Sequence, residues 1–178
     1  MLFRSLGPIP WVYAEIVRVL ANHEHVEILC QDGGVKASAR RALEAHDVRS
    51  DRVRLHEVVT DRVWLRDSAP TGVLEPSGRV VLVNWAFSGW AKYPNWHHDA
   101  AVGRAVADAT GLHRVEPSLR GSRERIVLEG GGIEVNGQGL LLVTEEWLLS
   151  DVQIRNPGLT RQDYRSEEHT SELQSRFG

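Results

Sequence analysis

The chain has very little cysteine. Cys30 is the only one in 178 residues, so no internal disulfide can form, and a reducing, cytoplasmic compartment is expected. Long hydrophobic runs are also missing, and no stretch is apolar enough to span a bilayer as a helix. The opening Met1-Leu2-Phe3-Arg4, followed by Gly7, Pro8 and Pro10, lacks the layout of a secretory signal. An excess of positive charge is absent too. The net charge of −3 supplies no basic stripe, so neither nucleic acid nor a membrane surface is expected as a partner. What remains, 42% hydrophobic and 25% charged, is the balance of a globular protein long enough for one domain with a core. Tryptophan is abundant, with six residues, and Trp64, Trp85, Trp90 and Trp96 crowd one stretch. Rings of this size either fill a core or wall a site. The acidic motif beside Trp64 favours the wall for that residue.

Periodicity predicts a mixed α/β protein. Val12, Ile16, Val19 and Leu20 recur at helical spacing, giving a helix over 10–23. A strand over 25–30 closes on a turn at Asp32-Gly33-Gly34, and a helix over 35–46 and a strand over 52–58 follow. Residues 71–74 and 79–83 read as a hairpin, and 84–95 as an aromatic loop. Asp99 reads as the N-cap of a helix that Gly111 ends. After a strand over 112–115 and a polar loop over 117–124, three strands are expected over 125–129, 133–135 and 140–144. A short helix over 145–149 and a turn at 155–158 complete the order. Two apolar runs ending in glycine pairs, 25–34 and 125–131, echo each other, as a repeated βαβ-type unit would.

Two strings carry chemistry: WLRDSAP at Trp64–Pro70 and LEGGGIEVNGQG at Leu128–Gly139. Each places a carboxylate, Asp67 or Glu129, at a strand end or the turn beside it. A carboxylate next to an indole suits a planar cation, because it accepts two parallel N–H bonds while the ring covers the flat face. The plainer alternatives are an ion pair with Arg66 or a loop cap for Asp67, and a solvated strand-end position for Glu129. Cys30 ends an apolar strand and reads as a buried structural thiol. Trp96-His97-His98-Asp99 reads as a helix start, since adjacent histidines on a helix point apart.

Together with the run LLLVTEEWLL and the RNPG at Arg155–Gly158, the two strings resemble the agmatine deiminase and bacterial (Porphyromonas-type) peptidyl-arginine deiminase family. The likeness spans 9–164. Ala69, Leu140 and Trp147 stand where that family usually has Gly, Thr and Cys. The resemblance implies a pentein propeller of ββαβ-type units, here an incomplete ring. It also implies hydrolysis of agmatine to N-carbamoylputrescine and ammonia, with no metal or other cofactor. A cysteine thiolate attacks the guanidinium carbon, and a histidine serves as acid and then base. By the same resemblance Asp67 and Glu129 are the catalytic carboxylates. Asp67 grips the guanidinium, Trp64 lines the substrate channel, and Glu129 orients the histidine. The nucleophile and the histidine are expected beyond this stretch, so the chain reads as an inactive fragment whose parent, as a monomer or a homo-oligomer, is active.

Three alternatives stay open: a peptidyl-arginine deiminase, a guanidinium-binding module without catalysis, and a metal-dependent hydrolase using His97 and His98. The 84–95 loop has Lys92 and no arginine to receive a carboxylate, which leans toward agmatine. The last stretch, 165–178, differs in character. RSEEHTSELQS reads as a translated sequencing adapter, giving an expected deiminase domain over 1–164 and a non-native, disordered tail.

Overall fold

The computed structural model describes residues 8–48, 50–119 and 122–165. The opening heptapeptide, two positions of the polar loop and the tail from 166 onward lie outside the described residues, so the readings of Met1–Arg4 and of the tail rest on sequence alone. The chain divides into two compact units, Met1–Val59 and Thr60–Gly178.

In the first unit, α1 (Ile9–Leu20) has proline in its first turn and ends where the Asn22 side chain donates to the carbonyls of Arg18 and Val19. β1 (Val26–Cys30) and β2 (Val53–Glu57) pair in parallel, with Val26 opposite Val53 and Cys30 opposite Glu57. The connecting α2 (Gly33–Glu44) corrects the turn expected at Asp32-Gly33-Gly34. The Asp32 carboxylate accepts the Val35 N–H at 2.8 Å, so an N-cap overrides two poor helix formers.

The second unit begins with the one-turn α3 (Leu65–Ser68), followed by the hairpin β3 (Thr71–Leu74) and β4 (Val80–Val83). β5 (His113–Val115) lies parallel to β4, and α4 (His97–Thr110) makes the crossover. Strand, helix and parallel strand thus recur in each unit, but the echo between 25–34 and 125–131 does not mark the repeat, because 125–129 forms no strand. Val81, Val83 and Val102 are buried between sheet and helix. Asp99 is not the N-cap of α4. It lies inside the first turn, and Asp61 accepts the N–H groups of His98 and Asp99. The Asp99 carboxylate accepts those of Asp61 and Arg62 in return.

β6 (Ile133–Val135) and β7 (Leu141–Val143) form an antiparallel pair, followed by α5 (Glu145–Leu149) and α6 (Arg161–Arg165). The strand expected over 125–129 is absent. Residues there make only isolated bridges, to Ala86 and Ser118. The reason is a distant partner: the Asn156 side-chain amide takes both the N–H and the carbonyl of Val127, each at 2.9 Å, where a neighbouring strand would pair.

Candidate functional site

Asp67 sits in the single turn of α3, three residues after Trp64. Its two oxygens have separate partners. Oδ1 accepts the Gly131 N–H at 3.0 Å, and Oδ2 accepts the Trp90 indole N–H at 2.9 Å. Both donors are neutral. Arg66 turns away and donates to the Ile133 carbonyl at 3.2 Å, and among the described residues no cation forms an ion pair with Asp67. The alternative of a structural Arg66–Asp67 pair is therefore not realised. Trp90 reaches Asp67 from a strained backbone. Trp90 and Ala91 have φ of 61° and 52°, a region that costs a non-glycine residue about 1–3 kcal/mol.

The glycine run has a separate reason at each position, and none of the three adopts a left-handed φ. A Cβ on Gly130 would lie 2.4 Å from the Arg66 carbonyl oxygen. One on Gly131 would lie 2.1 Å from Asp67 Oδ1, and one on Gly132 would lie 2.4 Å from the Trp147 ring. The turn is pressed between the two carboxylates' surroundings, and only hydrogen atoms fit there.

Glu129 precedes that turn and is 2% exposed. Trp147 donates its indole N–H to Oε2 at 2.7 Å, and Arg155 Nε spans Oε1 and Oε2 at 3.1 and 3.3 Å. The Arg155 side chain is itself 8% exposed, so this is a buried ion pair. The solvated position considered for Glu129 is ruled out by this burial. Arg155 also donates to the Gln153 carbonyl, and the Gln153 amide reaches the Trp90 carbonyl at 3.3 Å, which ties the two clusters together.

A cleft of about 410 Å³ opens beside them. Trp64, 62% exposed, forms one wall, with Trp90, Tyr93 and Gln153. Arg62, Lys92 and Arg155 also line it. Asp67 and Glu129 lie behind this lining, and each contacts one lining residue, Trp90 and Arg155 respectively. The Arg62 guanidinium sits 4.6 Å from the centroid of Tyr93 and donates to the Asn95 carbonyl and side-chain oxygens at 2.6 and 2.8 Å. The aromatic cleft thus already covers one planar cation, by the contact expected for a guanidinium ligand.

The remaining candidates fall elsewhere. The His97 ring packs on Trp96, and His98 contributes its backbone N–H to Asp61. Among the described residues, no three His, Cys, Asp or Glu side chains gather where they could hold a metal ion. In the first unit Cys30 is 1% exposed, and burial pushes its thiol upward, with Lys36 pulling the other way. Trp90, Trp147 and Arg155 are the site residues that sequence reasoning missed. The substitution of Trp147 for the usual cysteine was the available signal, and Arg155 was read only as part of a turn.

Fold and site together define an α/β protein of parallel strand–helix–strand units, with two indole-bonded carboxylates around a glycine turn. A family model described as Porphyromonas-type peptidyl-arginine deiminase matches residues 2–175, and the chain belongs to that family. It is 34% identical over 161 residues to an agmatine deiminase of Ectopseudomonas mendocina, covering 88% of this chain and 40% of that protein. It is 33% identical over 163 residues to the agmatine deiminase of Stutzerimonas stutzeri, with 89% and 40% covered. The agmatine deiminase of Enterococcus faecalis superposes with a TM-score of 0.71 at 24% identity, covering 92% of this chain and 41% of that one. The substrate-bound C315S agmatine deiminase of C. jejuni gives 0.69 at 23%, with 97% and 45% covered. The chain therefore spans less than half the length of each of these relatives.

Proposed function

We propose that this chain is part of a guanidine deiminase that converts agmatine and water to N-carbamoylputrescine and ammonia. The state of Asp67 carries this reading: a half-buried carboxylate held, among the described residues, by neutral donors and paired with no cation. An ionised carboxylate has about four acceptor positions. One is used on each oxygen, so one stays free on each, matching the two parallel N–H groups along a guanidinium edge. Held so, the cation keeps its charge on the carbon to be attacked and presents that carbon at a set angle. Trp64 walls the approach. Glu129, buried and already neutralised by Arg155, orients the catalytic histidine rather than binding substrate.

The thiolate nucleophile and the histidine come from the remainder of the parent. Cys30 does not supply the thiolate, since burial keeps it protonated. The ββαβ order of β3, β4, α4 and β5 is the repeat of a pentein propeller, and 1–164 is part of such a domain. One observation keeps the carboxylate-bearing substrate of a peptidyl-arginine deiminase as the second reading. Lys92 lines the cleft with the Tyr93 ring 5.5 Å from its ammonium, and among the described residues it forms no ion pair. Ammonia release tests both readings. The 178-residue chain should give none from agmatine, and an extended product of the same reading frame should turn over agmatine faster than a peptide ending in arginine. Deiminase-like turnover by the short chain would overturn the assignment of the missing groups.

A further inference from the structure

We infer that Trp90 is a positioning residue for Asp67, with the indole N–H choosing which acceptor positions of the carboxylate stay open to a ligand. This rests on the guanidinium reading above. The geometry is specific. A carboxylate on a one-turn helix can rotate about its side-chain bonds, and two donors approaching different oxygens stop that rotation. Gly131 holds Oδ1 and Trp90 holds Oδ2. The Gly131 donor belongs to a turn whose neighbour Gly130 lies so close to the Arg66 carbonyl that a Cβ there would stand 2.4 Å from its oxygen. The Trp90 donor is held by its backbone, because Gly89, Trp90 and Ala91 all have positive φ and the Ser88 hydroxyl accepts the Ala91 N–H at 3.1 Å. The ring is braced edge-on by Phe87 at 5.3 Å and Tyr93 at 6.0 Å. Because Trp90 also lines the cleft, its indole couples the cleft to the carboxylate behind it. Trp147 makes the matching bond to Glu129, but there Arg155 holds both oxygens and makes the indole redundant for orientation.

The test uses the whole 178-residue chain, uniformly ¹⁵N-labelled, with the six indole N–H resonances followed by NMR. In the ligand-free protein, Asp67→Asn should move the resonance that is lost in Trp90→Phe more than any other. If it stays in place, the bond does not exist and the inference falls. Agmatine should then shift that same resonance, and putrescine, which lacks the guanidinium, should not. Trp90→Phe should weaken agmatine binding at least fivefold, read on backbone amides around Gly131, while Trp147→Phe changes it less than twofold. If wild-type chain ignores agmatine, the guanidinium reading fails. If wild type binds and Trp90→Phe binds equally well with its other indoles unmoved, the reading stands and the positioning role is wrong. If Trp90→Phe does not fold, the Trp90 indole resonance is assigned by through-bond and NOE experiments on the wild-type chain, and its shift in Asp67→Asn and on agmatine addition decides the matter.

Discussion

The surroundings of Asp67 and Glu129 are built from the same parts and differ in one. Each carboxylate takes an indole N–H, from Trp90 and from Trp147, and each abuts the glycine turn. Glu129 has in addition a buried guanidinium from its own chain, and Asp67 has only a backbone amide. Glu129 is thus a carboxylate already paired with a cation. Asp67 is a carboxylate with open acceptor positions and, among the described residues, no cation paired to it. Two carboxylates that look alike as motif residues are separated by where one arginine folds back.

The comparison can be broken first at the ion pair. Arg155→Ala should destabilise the second unit by about 3–5 kcal/mol, because it strands the Glu129 charge in the interior, and urea unfolding would read it. A loss below about 1 kcal/mol would mean that Glu129 is not committed to structure. The glycine turn offers a finer cut. Gly132→Ala drives a methyl into Trp147 and Gly131→Ala drives one into Asp67, each costing about 1–3 kcal/mol of overpacking. Only Gly131→Ala should also abolish the agmatine response. Equal loss in both variants would erase the distinction between the clusters.

Asp67→Asn is expected to cost about 1–3 kcal/mol in unfolding, since the amide keeps one acceptor oxygen and turns an NH2 donor toward the other N–H, while agmatine recognition disappears. The smallest effect concerns Cys30, an acid in which burial outweighs the pull of Lys36. Its folded pKa is pushed by burial above the ordinary thiol value, so the unfolded chain gives up the proton first. Its contribution to stability is therefore complete below that value and is lost as pH rises through the raised folded pKa. Thiol alkylation of the native chain at neutral pH should be slower than that of the urea-unfolded chain.

Local signals carried much of the fold. The apolar spacing in α1, the 71–83 hairpin and the glycine after α4 all appear as read, because each depends on neighbours within one or two turns. The misreadings involve partners far along the chain. Asp99 has the residue type of a cap, but Asp61, an aspartate 38 residues earlier, does the capping. Residues 125–129 have the composition of a strand, but a side-chain amide 29 residues later takes the bonds a ladder would need.

The chain order alone singled out Asp67 and Glu129, because the motifs around them are short and continuous. It also determined the alternation of helices and strands. Only the tertiary structure decided which partners each acid has. Trp90 lies 23 residues from Asp67, and Arg155 lies 26 from Glu129. A carboxylate's role depends on whether a counter-charge reaches it within a few ångströms, and that distance exists only once the chain has folded.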